Sequence, residues 1–311
     1  MEKKDIKNCA IIYNPVSTGF KEEKLYKIKE VLENNNIKST ILPSEKKGHV
    51  IDLIKQANQN SDLIMTLGGD GTVSEAYKAF NEINQKAYYS HVPTGTTNDM
   101  AKNFNVRFKD ADLITKDILN GEIVEMDSFK INDEVVAYTS VFGYLAHVPY
   151  VTSSKLKQKL SHGGYVLSAF PYIIKKPIKY NITYETDNTK GNCNCILGSI
   201  SNSKGFAGID LFPKADLSDG KLELLLITKS NKELIASVVK DYLKKDVNLD
   251  KYKDYIIRDT SKNIKLTFND VFPTYPFDND GEKSLILPDK YNPTVNFSVA
   301  KPIKVLKRKL I

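Results

Sequence analysis

The chain has 311 residues, 41% hydrophobic and 27% charged, which excludes a disordered polymer and leaves room for two compact units. Lys and Arg exceed Asp and Glu by 45 to 38, a net charge of +7 that suits anionic partners such as headgroups or polyphosphates. The three cysteines, Cys9, Cys193 and Cys195, exclude a disulfide framework and lack the further Cys or His pair of a zinc site, and no run reaches the roughly 18 apolar residues of a membrane helix, so a cytoplasmic protein with at most peripheral membrane contact is expected.

In chain order, "CAIIYN" predicts a buried strand, and "EEKLYKIKEVLENNN" a helix with Leu25, Ile28 and Leu32 on one face. "IKSTIL", "DLIMTL" and "AYYSHV" predict further strands, alternating with helices at "HVIDLIKQANQ" and "VSEAYKAFNEI", and "NDMAKNF" is expected to open a fourth helix. Such alternation predicts an α/β domain with a parallel sheet covered on both faces, whose ligands sit beyond the carboxyl ends of the strands. From about residue 122 strands dominate: "GEIVEMDSFKIN", "EVVAYTSVFG", "IKYNITYETD", "GNCNCILGSIS", "KLELLLIT" and "NIKLTF" predict a β-rich second domain, a sandwich or barrel. Two helical insertions interrupt it, at "SSKLKQKL" through "YIIKK" and at "NKELIASVVKDYLKK". The expected boundaries are 1–127 and 128–296, with 297–311 a segment that could return to the first domain.

The chemistry concentrates at three strand-to-helix junctions. Gly68-Gly69-Asp70-Gly71-Thr72 brings backbone amides and a helix N-terminus to one point, which favours an anion. A carboxylate there repels phosphate unless it serves a divalent metal, so Asp70 points to Mg²⁺ on a nucleotide; a plain Gly-Gly-Asp-Gly turn is the alternative. Pro93, Gly95 and Thr96 end the next strand, with Asn98 or Asp99 as a helix cap. Asn14-Pro15-Val16-Ser17-Thr18-Gly19 is a third amide-rich turn, without the Gly-Lys-Ser/Thr of a P-loop or a G-x-G-x-x-G. Far downstream, Asp280 and Glu282 lie two apart, sharing a face on a strand or converging across a turn. Phosphoryl transfer to an alcohol needs one such carboxylate to take the hydroxyl proton.

The succession NPVSTG, GGDGT, PTGTTND, then the Pro-x-Ala-x-x-x-Asp-Gly segment in "FPKADLSDGK" and the Asp-Gly-Glu of "DNDGE", resembles the diacylglycerol kinase family, in particular its Gram-positive bacterial lipid kinases. The resemblance implies a phosphofructokinase-like nucleotide domain followed by a β-sandwich, with ATP and Mg²⁺ as cofactors. It implies nucleotide contacts from Asn14, Pro15, Ser17, Thr18, Gly19, Ser44, Gly68, Gly69, Asp70, Gly71, Thr72 and Thr96. It further implies a charged network of Lys21, Asp99 and Asp127, Asp70 as the metal-associated carboxylate, Glu282 as the base and Asp280 as a second carboxylate. A structural Mg²⁺ would sit on the Asp219 carboxylate and the backbone carbonyls of Asp216 and Lys221.

The resemblance implies a kinase of a membrane lipid, first of all diacylglycerol, giving phosphatidic acid. Another lipid alcohol (phosphatidylglycerol, ceramide or a sphingoid base) is the alternative, with NAD kinase a more distant one. Lys155, Lys157, Lys159, Lys175, Lys176 and Lys179 around Tyr165, Phe170, Tyr172 and Ile173-Ile174 suit the interface of an anionic membrane, or else an amphipathic helix packed on the second domain. No recognised nucleic-acid-binding module occurs, and a homodimer is left open.

Overall fold

The computed structural model describes residues 5–96, 98–106, 110–143, 178–205, 211–229, 247–269, 277–284 and 293–309, and residues 231, 234, 237, 238, 240, 241 and 244 singly. The chain forms two units, Met1–Ser128 with Lys301–Ile311, and Phe129–Ala300.

The first unit opens with strand β1 (Asn8–Tyr13), helix α1 (Glu22–Asn34), β2 (Lys38–Pro43), α2 (His49–Ala57), β3 (Leu63–Gly68), α3 (Asp70–Glu82) and β4 (Tyr88–Pro93). The strands pair in parallel in the order β2-β1-β3-β4, with Ile11 level with Met65 and Met65 with Ser90. β3 is buried at all six positions, as a central strand covered on both faces must be. α1 buries Leu25, Ile28, Val31 and Leu32 along one stripe, the face its periodicity predicts. α3 begins at Asp70, so the Asp-Gly-Thr of the motif forms its first turn, where a negative charge meets the positive end of the helix dipole. "NDMAKNF" yields only a 3₁₀ turn, Asp99–Lys102, and the chain leaves helical geometry where Asn105 takes φ 59°. A helix the sequence reading passed over, α4 (Ala111–Leu119), follows, and then β5 (Glu122–Met126).

The stretch "GEIVEMDSFKIN", predicted as one strand, is cut at Asp127-Ser128: β5 stays in the first unit, and β6 (Phe129–Ile131) opens the second. The second unit continues with β7 (Glu134–Val136), β8 (Thr139–Gly143), β9 (Tyr180–Thr186), β10 (Lys190–Cys195), β11 (Leu197–Ser201), β12 (Leu222–Ile227), a 3₁₀ turn at Leu249–Tyr252, β13 (Ile256–Ser261), β14 (Asn263–Phe268), β15 (Asp278–Asn279), β16 (Glu282–Lys283) and β17 (Thr294–Val299). These form two antiparallel sheets, β10-β9-β14-β17-β6-β7 and β13-β12-β11-β8-β15-β16. Their facing side chains make one core: Phe129, Tyr180, Leu266 and Phe297 from the first sheet meet Phe142, Ile200 and Leu224 from the second. Phe142 crosses Phe268 edge-on at 5.4 Å, an aromatic contact between the two layers of a sandwich. "EVVAYTSVFG" and "GNCNCILGSIS", predicted as single strands, each break and send their halves to opposite sheets.

The chain then returns to the first unit as β18 (Ile303–Lys307), inserted between β4 and β5 to complete the order β2-β1-β3-β4-β18-β5. It runs parallel to β4 and antiparallel to β5. The return begins at Lys301, not at 297: Phe297, Ser298 and Val299 pair with β6, and Phe297 belongs to the sandwich core. Among the described residues no helix is long and apolar enough to cross a membrane. Lys155, Lys157, Lys159, Lys175 and Lys176, with the aromatic stretch between them, lie outside the described residues; Lys179 is exposed just before β9.

Candidate active site

Three loops leave the carboxyl ends of β1, β3 and β4, and hydrogen bonds stitch them together. The Asn14 amide donates to the Leu67 carbonyl at 2.9 Å, the Gly19 amide to the Thr94 carbonyl at 2.7 Å, and the Thr94 and Gly95 amides to the Gly68 carbonyl at 2.7 and 3.1 Å. The Ser17 hydroxyl donates to the Thr94 carbonyl at 2.7 Å and accepts from the Thr94 hydroxyl at 2.9 Å, while Thr96 donates to Thr18 Oγ1 at 3.2 Å. Asn14, Ser17, Thr18, Gly19, Gly68 and Thr96 are thereby joined in one loop assembly, with Pro15 in the same turn.

The backbone packing explains two of the glycines. A Cβ on Gly95 would lie 2.5 Å from the Gly69 Cα, and one on Gly69 would lie 3.2 Å from the Gly95 Cα, so the second and third loops touch here, with a side chain barred at 95 and crowded at 69. Gly71 differs, because nothing lies within 4 Å of its Cβ position. It sits in the first turn of α3, whose N-terminus has no side-chain cap, next to the buried Thr72. Glycine at 95 is thus demanded by the protein itself and favoured at 69, and the open approach is at Gly71.

Asp70 Oδ1 accepts from the Met100 amide at 2.8 Å, tying the first turn of α3 to the 3₁₀ turn after β4. Burial pushes its carboxyl up to about 6; the neighbouring Asp99 charge acts the same way, and the Met100, Asp99 and Asn98 amides oppose it. Asp99 and Asp127 are buried, whereas Lys21 is exposed at the N-cap of α1. The lysine that touches the first loop is Lys24, whose Nζ donates to the Gly19 carbonyl at 2.9 Å. Its signal was its place on the first turn of α1, facing back to the loop. Ser44 is buried at the end of β2, its amide donating to the Tyr13 carbonyl at 2.8 Å. The loop after it is held from α3: Glu75 accepts from the Gly48 amide at 2.9 Å and the Val50 amide at 3.3 Å. Glu75, unmarked in the sequence reading, is a carboxylate on an otherwise buried helical face.

In the second unit, Asp280-Gly281 is the two-residue turn joining β15 to β16, with φ 56° and 83°, the left-handed pair of a type I′ hairpin. Glu282 follows on β16 and is exposed. The Asp280 carboxylate accepts from the Ala137, Tyr138 and Thr139 amides at 2.8, 2.9 and 3.2 Å, so it is engaged by the protein backbone, whereas Glu282 is exposed. In the loop expected to hold a structural cation, Asp216 accepts from the Ser218 amide and Asp219 from the Lys221 amide, both at 3.0 Å. Among the described residues no cluster of three or more His, Cys, Asp or Glu is gathered for a metal; the expected donor set, one carboxylate and two carbonyls, is of another kind.

Residues 8–131 match the diacylglycerol kinase catalytic domain. A diacylglycerol kinase of Bacillus subtilis (strain 168) is 27% identical over 231 residues, covering 73% of this chain and 75% of the relative. One of Staphylococcus saprophyticus is 28% identical over 230 residues, covering 72% and 74%. Among solved structures, a diacylglycerol kinase from Bacillus anthracis superposes with a TM-score of 0.74 at 19% identity over 98% of both chains, which shows the shared fold. With a diacylglycerol kinase catalytic domain matched at residues 8–131 and diacylglycerol kinases similar to it over nearly three quarters of its length, the chain is similar to the diacylglycerol kinases and is a phosphotransferase with an alcohol acceptor.

Proposed function

We propose that this protein is an ATP- and Mg²⁺-dependent lipid kinase that phosphorylates diacylglycerol to phosphatidic acid at the surface of an anionic membrane. The observation that carries the nucleotide part is the loop assembly on β1, β3 and β4, which ends at an uncapped helix N-terminus with open space at Gly71. Amides converging on such a point suit a polyphosphate. The residues also suit a magnesium ion: Asp70 is a buried carboxylate at that turn, and a bound cation would offset the burial that now raises its pKa. Held at Asp70, magnesium would supply charge neutralisation on the nucleotide's phosphates.

The chain's own residues divide the remaining work. The Gly71 amide at the open helix N-terminus and the paired hydroxyls of Thr18 and Thr96 orient the phosphates, while Ser17 and Thr72 brace the loops. Glu282 takes the proton of the acceptor hydroxyl as its oxygen attacks the γ-phosphorus, and the bond to the β-phosphate oxygen breaks to release ADP. The diacylglycerol assignment is supported by the names of the relatives. Peripheral binding is supported by the net charge of +7 and by exposed Ile178 and Lys179 side by side, an apolar and a cationic group suited to a headgroup boundary.

The test is label transfer from γ-labelled ATP with Mg²⁺ to a panel of diacylglycerol, phosphatidylglycerol, ceramide, sphingosine and NAD. Label in diacylglycerol, lost on chelation and lowered at least about 100-fold in Glu282→Gln, is expected. Label confined to NAD would overturn the lipid assignment.

A further inference from the structure

We propose that Glu134 and Asp280 are positioning residues that fix the hairpin bearing Glu282, so that the catalytic base is presented in one setting. The inference rests on the assignment of Glu282 as base. It starts from a mechanical weakness. β15 and β16 pair over two positions, Asp278 with Lys283 and Asn279 with Glu282, with one further bond from the Ser284 amide to the Phe277 carbonyl at 2.7 Å, and β15 meets β8 over two more. A ladder this short does not hold a hairpin by itself. Yet Asn279, Asp280 and Ser284 are buried while Glu282 between them is exposed.

Side chains provide what the ladder lacks. The Asp280 carboxylate takes the three successive amides of residues 137 to 139, and the Asp280 amide donates back to the Thr139 carbonyl at 2.9 Å. Those residues link β7 to β8, where the chain passes from one sheet to the other. From β7, Glu134 Oε2 accepts from Asn279 Nδ2 at 3.1 Å and from Ser284 Oγ at 2.7 Å. Ser140 Oγ completes the set by donating to Asn279 Oδ1 at 2.6 Å. Asn279 stands directly across from Glu282 in the ladder, so whatever holds Asn279 holds the backbone of the base.

Carboxylates taken out of water cost free energy unless they are well hydrogen-bonded. Buried Asp280, with half-buried Glu134 beside it, serves geometry better than stability next to so short a ladder. Apolar side chains would seal the same seam without that penalty, but they could not set the rotation of a hairpin through directed bonds.

The test uses the full chain with Glu134→Ala, Glu134→Gln and Ser284→Ala. Glu134→Ala is expected to lower kcat about 10- to 100-fold, the scale of a small misplacement of a catalytic group, with KM for ATP within about twofold. Glu134→Gln, which keeps an acceptor oxygen, is expected to restore most of the loss. Ser284→Ala removes one donor, leaves both carboxylates, and is expected to fall between the two. Amide hydrogen exchange over residues 279 to 284 should quicken in both alanine variants. A kcat per folded molecule within about twofold of the parent in both alanine variants would sink the proposal, as would unchanged exchange in the hairpin. The exchange readout decides even if the parent shows no lipid kinase activity, the outcome that refutes the base assignment instead.

Discussion

Asp70 shows how burial and function oppose each other at a single residue. In the unfolded chain its carboxyl titrates near 3.8, and in the folded protein it is pushed up to about 6. The folded state therefore holds the proton more tightly. The protonated fold is favoured below about 3.8, that advantage fades as pH rises through the window to about 6, and above it the buried charge is a standing cost. Two pH units correspond to about 3 kcal/mol, an upper scale because the Met100 amide still favours an acceptor oxygen. Asp70→Asn keeps that acceptor and removes the charge. In nucleotide-free, metal-free protein it should raise the melting temperature by several degrees at pH 7.5, and the gain should vanish as pH approaches 4. The same variant should lose at least about 100-fold in turnover. A melting temperature that falls at pH 7.5 would show that the carboxylate stabilises the fold.

At the scale of elements, the glycine junctions separate into two physical kinds. Gly95 and Gly69 are pressed together, and a methyl at 95 would need about an ångström more than the 2.5 Å available to it. Gly95→Ala should therefore part the loops on β3 and β4 and lower both thermal stability and ATP affinity. Gly71→Ala meets nothing within 4 Å and lies in a helix, where alanine is the better former. It should leave stability equal or higher while weakening ATP at least about tenfold, measured by calorimetry. Equal loss of stability in both variants would refute the distinction. The motif was legible because glycine, threonine and aspartate at a strand-to-helix step are a local signal. Which glycine faces the ligand and which faces another loop was not, since Gly69 and Gly95 meet only once β3 and β4 lie side by side. Strand breaks were equally hidden: "GNCNCILGSIS" alternates without a Gly-Pro or Asp-Gly signal, and only the packing of two sheets divides it at Ile196.

Over the whole molecule, the C-terminal return decides the architecture of the first unit. β18 lies inside its sheet, between β4 and β5, with Val305 and Leu306 fully buried. Removing residues 301–311 would leave β5 without its neighbour and expose the edge of β4, a row of unpaired donors and acceptors. The truncated chain should lose nucleotide binding and cooperative melting of the first unit, although none of its motif residues is touched. A truncation that keeps parental ATP affinity would show that β18 is dispensable.

What the sequence determined by itself is the chemistry and the element types: the α/β alternation, the β-rich second half, the three phosphate-suited junctions and the exposed carboxylate after an Asp-Gly turn. These are written in short-range periodicity and in the few residues that allow left-handed or closely packed backbone. Only the tertiary structure decided that Asp280 serves backbone amides 141 to 143 residues earlier in the chain, that Glu75 holds the loop after Ser44, and that β18 closes the first sheet. The physical reason is that a carboxylate looks the same in sequence whether its partner is a ligand or a distant amide, and folding alone chooses between them.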